Sequence, residues 1–152
     1  MQFDAYEIQK YQQNRYPAFF VDKITDLFPG KYANGIKNFS FNEWFSQNRT
    51  DTSVPSVIIG EAMEQTYLMT FLSLPEYKGA KTSTVSAAVE FFRNVKYGAS
   101  MKTEAKLLIN SRGLTRGTVT ATVCGEIVAK ADFTVVIPSI TEKFKPKKGE
   151  AK

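Results

Sequence analysis

The chain has 152 residues, 43% of them hydrophobic and 13% aromatic, enough to enclose one core and too apolar for a disordered segment. It contains no histidine, which excludes Ser-His-Asp and Cys-His catalysis, imidazole metal ligands and a histidine general base; its single cysteine, Cys124, excludes an internal disulfide. The net charge of +5 is concentrated in residues 142–152, where five lysines stand against two glutamates, so the body is nearly balanced and no nucleic-acid surface is expected.

The start, MQFDAYEIQKYQQNRYP, lacks a cationic stretch followed by an apolar one, and no window approaches the roughly 20 apolar residues of a membrane span. A soluble, cytoplasmic protein with no membrane partner is expected. Tyr6 to Tyr11 is one helical turn or extended, and Tyr16-Pro17 breaks it. Phe28-Pro29-Gly30-Lys31 is a turn between FFVDKITDL and KYANGIKNFSF, which predicts a hairpin. The polar stretch NEWFSQNRTDTS, residues 42–53, reads as a loop.

From Val54 the pattern becomes apolar at most positions for about five turns, with Ser53 as the expected N-cap, Pro55 in the first turn and Leu74-Pro75-Glu76 as the stop. A helix so apolar should be buried on nearly all sides. Four extended segments follow, Thr84–Phe92, Met101–Ser111, Thr115–Val123 and Glu126–Ile137, separated by turn residues and spaced as an antiparallel meander. Cys124, at the end of TVTATVC, is expected to pack at a strand end. Residues 1–138 then form one α+β domain, a curved antiparallel sheet wrapped around one central helix, and 139–152 a basic, flexible tail.

Glu61 sits one or two turns into the helix. A carboxylate on an apolar face is either functional or turned to solvent. Glu64 and Gln65, three and four residues later, share its side of the helix, either as a pair of interacting carboxylates with an amide or as a plain solvent stripe. Arg93 and Lys96 decorate the loop FFRNVKYGAS, as solvated charges or as a dock for a phosphate or an acidic carrier.

These segments resemble the 3-hydroxyacyl-acyl-carrier-protein dehydratases in order and motif. Arg15-Tyr16-Pro17, Val21-Asp22, Pro29-Gly30-Lys31, Lys37-Asn38 and Asn42-Glu43 match that family's opening. Glu61-Ala62-Met63-Glu64-Gln65 is similar to its E-A-M-A-Q, and Arg93-Asn94-Val95-Lys96-Tyr97-Gly98 to its R-x-P-V-x-P-G without the prolines. The resemblance spans about residues 8–137 and implies the hot-dog fold, dimeric, with sites shared between protomers.

It also implies a catalytic histidine in a G-H-F-P-G-x-P-x-x-P-G loop, a helix carboxylate from the other protomer, and a helix-start amide that polarises the thioester carbonyl. Counting from Asn42-Glu43, Arg49 falls at the histidine, and the loop is two residues shorter. Arginine stays protonated and is no general base near neutral pH. Glu61 carries over as the carboxylate, Val54, Pro55, Ser56, Val57 and Gln65 as substrate-binding positions, and Arg93 and Lys96 as the carrier-protein or pantetheine dock. No metal or cofactor is implied. The expected partners are an acyl carrier protein or acyl-CoA thioester and a second protomer, either a copy of this chain or a dehydratase paralogue. Three readings compete: a degenerate copy serving as partner of an active dehydratase, a thioesterase using Glu61, and a dehydratase using Glu61 with water or Asp51.

Overall fold

A computed structural model describes residues 1–46 and 52–146. A two-residue strand β1 (Phe3–Asp4) leads into a single helical turn, α1 (Ala5–Ile8), closed by a reciprocal pair: the Glu7 N–H donates to Asp4 at 2.8 Å and the Asp4 N–H to Glu7 at 2.9 Å. The expected hairpin follows as β2 (Lys23–Phe28) and β3 (Tyr32–Asn38), paired antiparallel. Its turn places Gly30 at φ +81°, where glycine carries no steric cost, and the Gly30 N–H bonds the carbonyl of Thr70 at 2.7 Å.

The central helix α2 runs Ser56–Leu72, shorter at both ends than its apolar pattern. Ser53 is not its cap. Pro55 holds that place without a side-chain hydrogen bond, because the preceding segment is pinned as extended chain: Val54 N–H donates to the Val95 carbonyl at 2.7 Å and Ser53 bridges to Lys96. Nor is α2 buried all round. Positions 58, 59, 62, 63 and 65–72 are buried, while Val57 is exposed and Gly60, Glu61 and Glu64 are partly covered.

The last four strands are β4 (Ser83–Phe91), β5 (Ser100–Ser111), β6 (Leu114–Val123) and β7 (Glu126–Val136). Only β5, β6 and β7 form the expected meander. The sheet order is β1-β2-β3-β5-β6-β7-β4, so β5 joins β3 and β4 crosses to the far edge beside β7. Both meander connections are two-residue turns with positive φ throughout, Arg112-Gly113 (+53°, +80°) and Cys124-Gly125 (+51°, +78°), the geometry that suits the strands' right-handed twist. Cys124 is therefore an exposed turn residue and not a packed strand end. After β7 the chain coils through α3 (Pro138–Thr141) and a 3-10 turn at Glu142–Phe144, with Ile140 against Gly113. No helix among the described residues is long and apolar enough to cross a membrane.

Small residues on the inner face let α2 lie close to the sheet. Thr66 and Thr103 share a buried hydrogen bond of 2.8 Å, and a Cβ on Gly35 would stand 2.9 and 3.0 Å from their two hydroxyls. Tyr67 lies over Gly117, and its hydroxyl donates to Thr115 at 2.9 Å; burial pushes that phenol up to about 12. A Cβ on Gly117 would meet the Lys106 carbonyl at 2.2 Å and the Tyr67 ring at 2.5 Å. Gly117→Ala should therefore cost about 3 kcal/mol or more, read as a lowered urea midpoint; an unchanged midpoint would mean that β5 and β6 separate freely here.

Candidate functional site

Residues of three motif segments meet in one polar cluster. Lys37, an inward position of β3, bonds Glu43 at 3.0 Å and stands 3.6 Å from Asp22, whose other oxygen accepts the Asn38 N–H at 2.6 Å. A nearly buried ammonium requires such partners. They fix the path of the chain as it leaves β3, as does Trp44, whose indole donates to the Pro17 carbonyl at 2.9 Å. Arg49, with neighbours Asn48, Thr50 and Asp51, lies outside the described residues.

Gln65 is completely buried, which removes the solvent-stripe reading of Glu61, Glu64 and Gln65. Its amide oxygen accepts the Phe20 N–H at 2.7 Å; its nitrogen donates to the Ala18 carbonyl at 2.8 Å and to Glu61 at 3.1 Å. Gln12, also buried, donates to the backbone carbonyl of Gln65 and accepts from Asn14. Arg15 holds the carbonyls of Gln9, Gln12 and Asn14. The N-terminal arm is thus stitched to α2, and Glu61 hangs from the last link of that chain.

Glu61 faces a groove of about 290 Å³ between α2 and β4, walled by Ser56, Val57, Gly60 and Glu64 on the helix side and by Ala87, Val89 and Phe91 on the strand, with Phe133 also lining it. The first helical amides, of Ser56 and Val57, have no intrahelical acceptor, as at any helix start, and the helix dipole adds partial positive charge there. A carbonyl oxygen placed at these amides would be polarised beside a carboxylate. Glu64 accepts a hydrogen bond from the Thr84 hydroxyl on β4. Burial, first, and the nearby Glu61 charge raise its pKa, opposed by the Thr84 bond. A larger hollow of about 500 Å³ lies over Ala88, Thr118 and Lys130 on the outer face of the sheet, away from α2. Its size gives it no chemistry comparable to the Glu61 groove.

The expected site residues divide accordingly. Ser56, Val57 and Glu61 share the groove and Gln65 orients Glu61, whereas Val54 packs in the core and Pro55 only begins the helix. Arg93 and Lys96 are exposed and point elsewhere: Arg93 pairs with Glu126 at 2.6 Å, beside Phe92, Ile127 and Lys130, and Lys96 donates to Thr52 at 3.3 Å. Thr84 and Phe133 were missed, since neither stands near a motif in sequence. Among the described residues, no group of three Asp, Glu or Cys side chains could hold a metal ion.

No family model matches the chain. It is 37% identical over 130 residues, 84% of this chain and 89% of the relative, to the 3-hydroxyacyl-acyl-carrier-protein dehydratase FabZ of Acetivibrio thermocellus. The chain belongs to the FabZ dehydratase family. Its fold, the hot-dog arrangement, is shared with the dehydratase heterocomplex ApeI:P of Xenorhabdus doucetiae, at a TM-score of 0.75 and 11% identity over 92% of this chain and 97% of that one. It is also shared with a hypothetical thioesterase from Streptococcus pneumoniae crystallised with coenzyme A, at a TM-score of 0.60 and 14% identity over 75% and 83% of the two chains. Glu61 and Gln65 of the FabZ-like helix motif are the two residues whose side chains join at the groove.

Gln65→Leu should lower stability by about 1–3 kcal/mol, because the buried Phe20 N–H loses its acceptor; the urea midpoint measures this, and a change within error would show that water replaces the amide. For Glu64 the native state retains its proton above the ordinary 4.5 of the unfolded chain, so stability falls as pH rises through the interval between that value and its raised one. Glu64→Gln, uncharged and able to keep the Thr84 bond, should remove this fall. The Tm difference between variant and wild type should grow from about pH 4 to about pH 7; a constant difference would show that Glu64 titrates normally.

Proposed function

We propose that this FabZ-family chain binds 3-hydroxyacyl thioesters on acyl carrier protein or coenzyme A, in fatty-acid or polyketide-type biosynthesis, and serves as the histidine-less subunit of a dehydratase pair. One observation carries the reading: a carboxylate held by a buried amide lies in a groove open along an edge strand, in a chain without a single histidine. Glu61 offers an acid but no partner base, and Arg49, at the family's histidine position by count, stays protonated. The chain supplies half of a site.

The other half would come from a second protomer. Strand β4 is exposed along eight of its nine positions and has β7 on one side only, so its free edge offers backbone donors and acceptors to another strand. A dehydratase paralogue with an intact histidine, seated there, would meet Glu61 across the two-fold axis. The heterocomplex named in the structural comparison is a precedent for such pairing within this fold. Arg93 and Lys130, beside exposed Phe92 and Ile127 and the Glu126 that Arg93 pairs with, form the surface we assign to the acidic carrier.

A second reading, hydrolysis of the thioester by Glu61 as base or nucleophile, is favoured by the same open carboxylate. Mass spectrometry of 3-hydroxyacyl carrier protein separates the two. The chain alone should leave the thioester unchanged, and its complex with a histidine-bearing paralogue should remove water. Glu61→Gln in this chain should slow that complex by about 10²-fold or more. Water loss by the chain alone would overturn the partner reading, and free acid lost on Glu61→Gln would establish hydrolysis.

A further inference from the structure

The groove that holds Glu61 does not run the length of α2. Val57, Glu61, Glu64, Leu68 and Leu72 fall on one stripe of the helix at spacings of three and four. Along that stripe lie two hollows. The first, of about 290 Å³, contains Val57, Glu61 and Glu64; the second, of about 240 Å³, contains Leu68 and Leu72 with Gln12, Asn14 and Thr82. Between them the Thr84 hydroxyl on β4 donates to the Glu64 carboxylate on α2, a polar crossbar from strand to helix. Glu64 stands three residues past Glu61, about 4.5 Å along the axis.

Resting on the acyl-thioester reading above, we propose that the Glu64–Thr84 crossbar is the chain-length determinant, closing the groove so that it accepts short 3-hydroxyacyl groups and rejects long saturated ones. An alkyl chain whose reacting end lies at Glu61 reaches the crossbar within one helical turn. To continue it must break the Thr84 bond and cover a carboxyl group with methylenes, leaving that group without a partner. Glu64 is already partly covered there, and methylenes laid over it would complete its desolvation. Past the bar, Leu68 and Leu72 would line the path of a longer chain.

The test is the affinity of the full-length protein for 3-hydroxybutyryl-CoA and 3-hydroxydodecanoyl-CoA by isothermal titration calorimetry, for wild type, Glu64→Ala and Glu64→Met. Both substitutions remove the bar, and the unbranched Met preserves side-chain length should Ala fail to fold. Either should shift the ratio of the two affinities by about tenfold in favour of the twelve-carbon ligand. If wild type binds both ligands and neither substitution alters their ratio, the crossbar sets nothing and this inference alone falls. Failure of wild type to bind either ligand would overturn the acyl-thioester reading and the inference with it.

Discussion

Two glycines on inner positions of the sheet, on β3 and β6 either side of β5, determine how near the central helix can come. Gly35 leaves room for Thr66 and Thr103 to hydrogen-bond each other, and Gly117 leaves room for the ring of Tyr67, itself stacked on Phe133 with centroids 5.7 Å apart. A methyl group at Gly117 would push against a carbonyl of β5, which a flexible side chain could escape and a hydrogen-bonded strand cannot. Because α2 is held at this distance, its less covered side falls toward β4, and that side carries Glu61 and Glu64. The site is thus a by-product of which face of the helix the sheet does not cover.

The polar residues inside this apolar frame have a second task. A buried amide or ammonium tolerates few arrangements, since each unmet donor or acceptor costs more than an average contact provides. Gln65 therefore ties residues 18–20 to the helix in one register, and Lys37 does the same for Asp22 and Glu43. The family's scattered motif letters become intelligible as the nodes of these two networks. Glu61 extends from the Gln65 node into the groove, which gives its carboxylate a fixed root and a free face.

Much of the fold was readable before any coordinates. The Pro-Gly turn, the long apolar segment and the alternating runs near the C-terminus located β2, β3, α2 and β5 to β7 within a few residues, because each is dictated by local periodicity or by glycine. What local pattern cannot carry is partner choice: β4 looks like the first strand of a meander, yet pairs with β7 across some forty residues. Ser53 has the chemistry of a helix cap and lost that role to a strand bridge. Gln65 reads as solvent-facing from polarity alone, since the groups it satisfies, at Phe20 and Ala18, are 45 and 47 residues away. Glu61 was legible as a carboxylate out of place; the β4 side of its groove was not.

The two borders of the sheet are unlike. On one, β1 is two residues long and ends at a helical turn; on the other, β4 offers nine residues with no further strand beyond them among the described residues. A protein with two long open borders can add neighbours without limit and grow into a fibre. With a single long border, an antiparallel match between two such edges would leave neither molecule a comparable strand to offer, so edge-to-edge growth would stop at two. The brevity of Phe3–Asp4 would thereby act as a terminator for such assembly, at the end of the sheet farthest from Glu61.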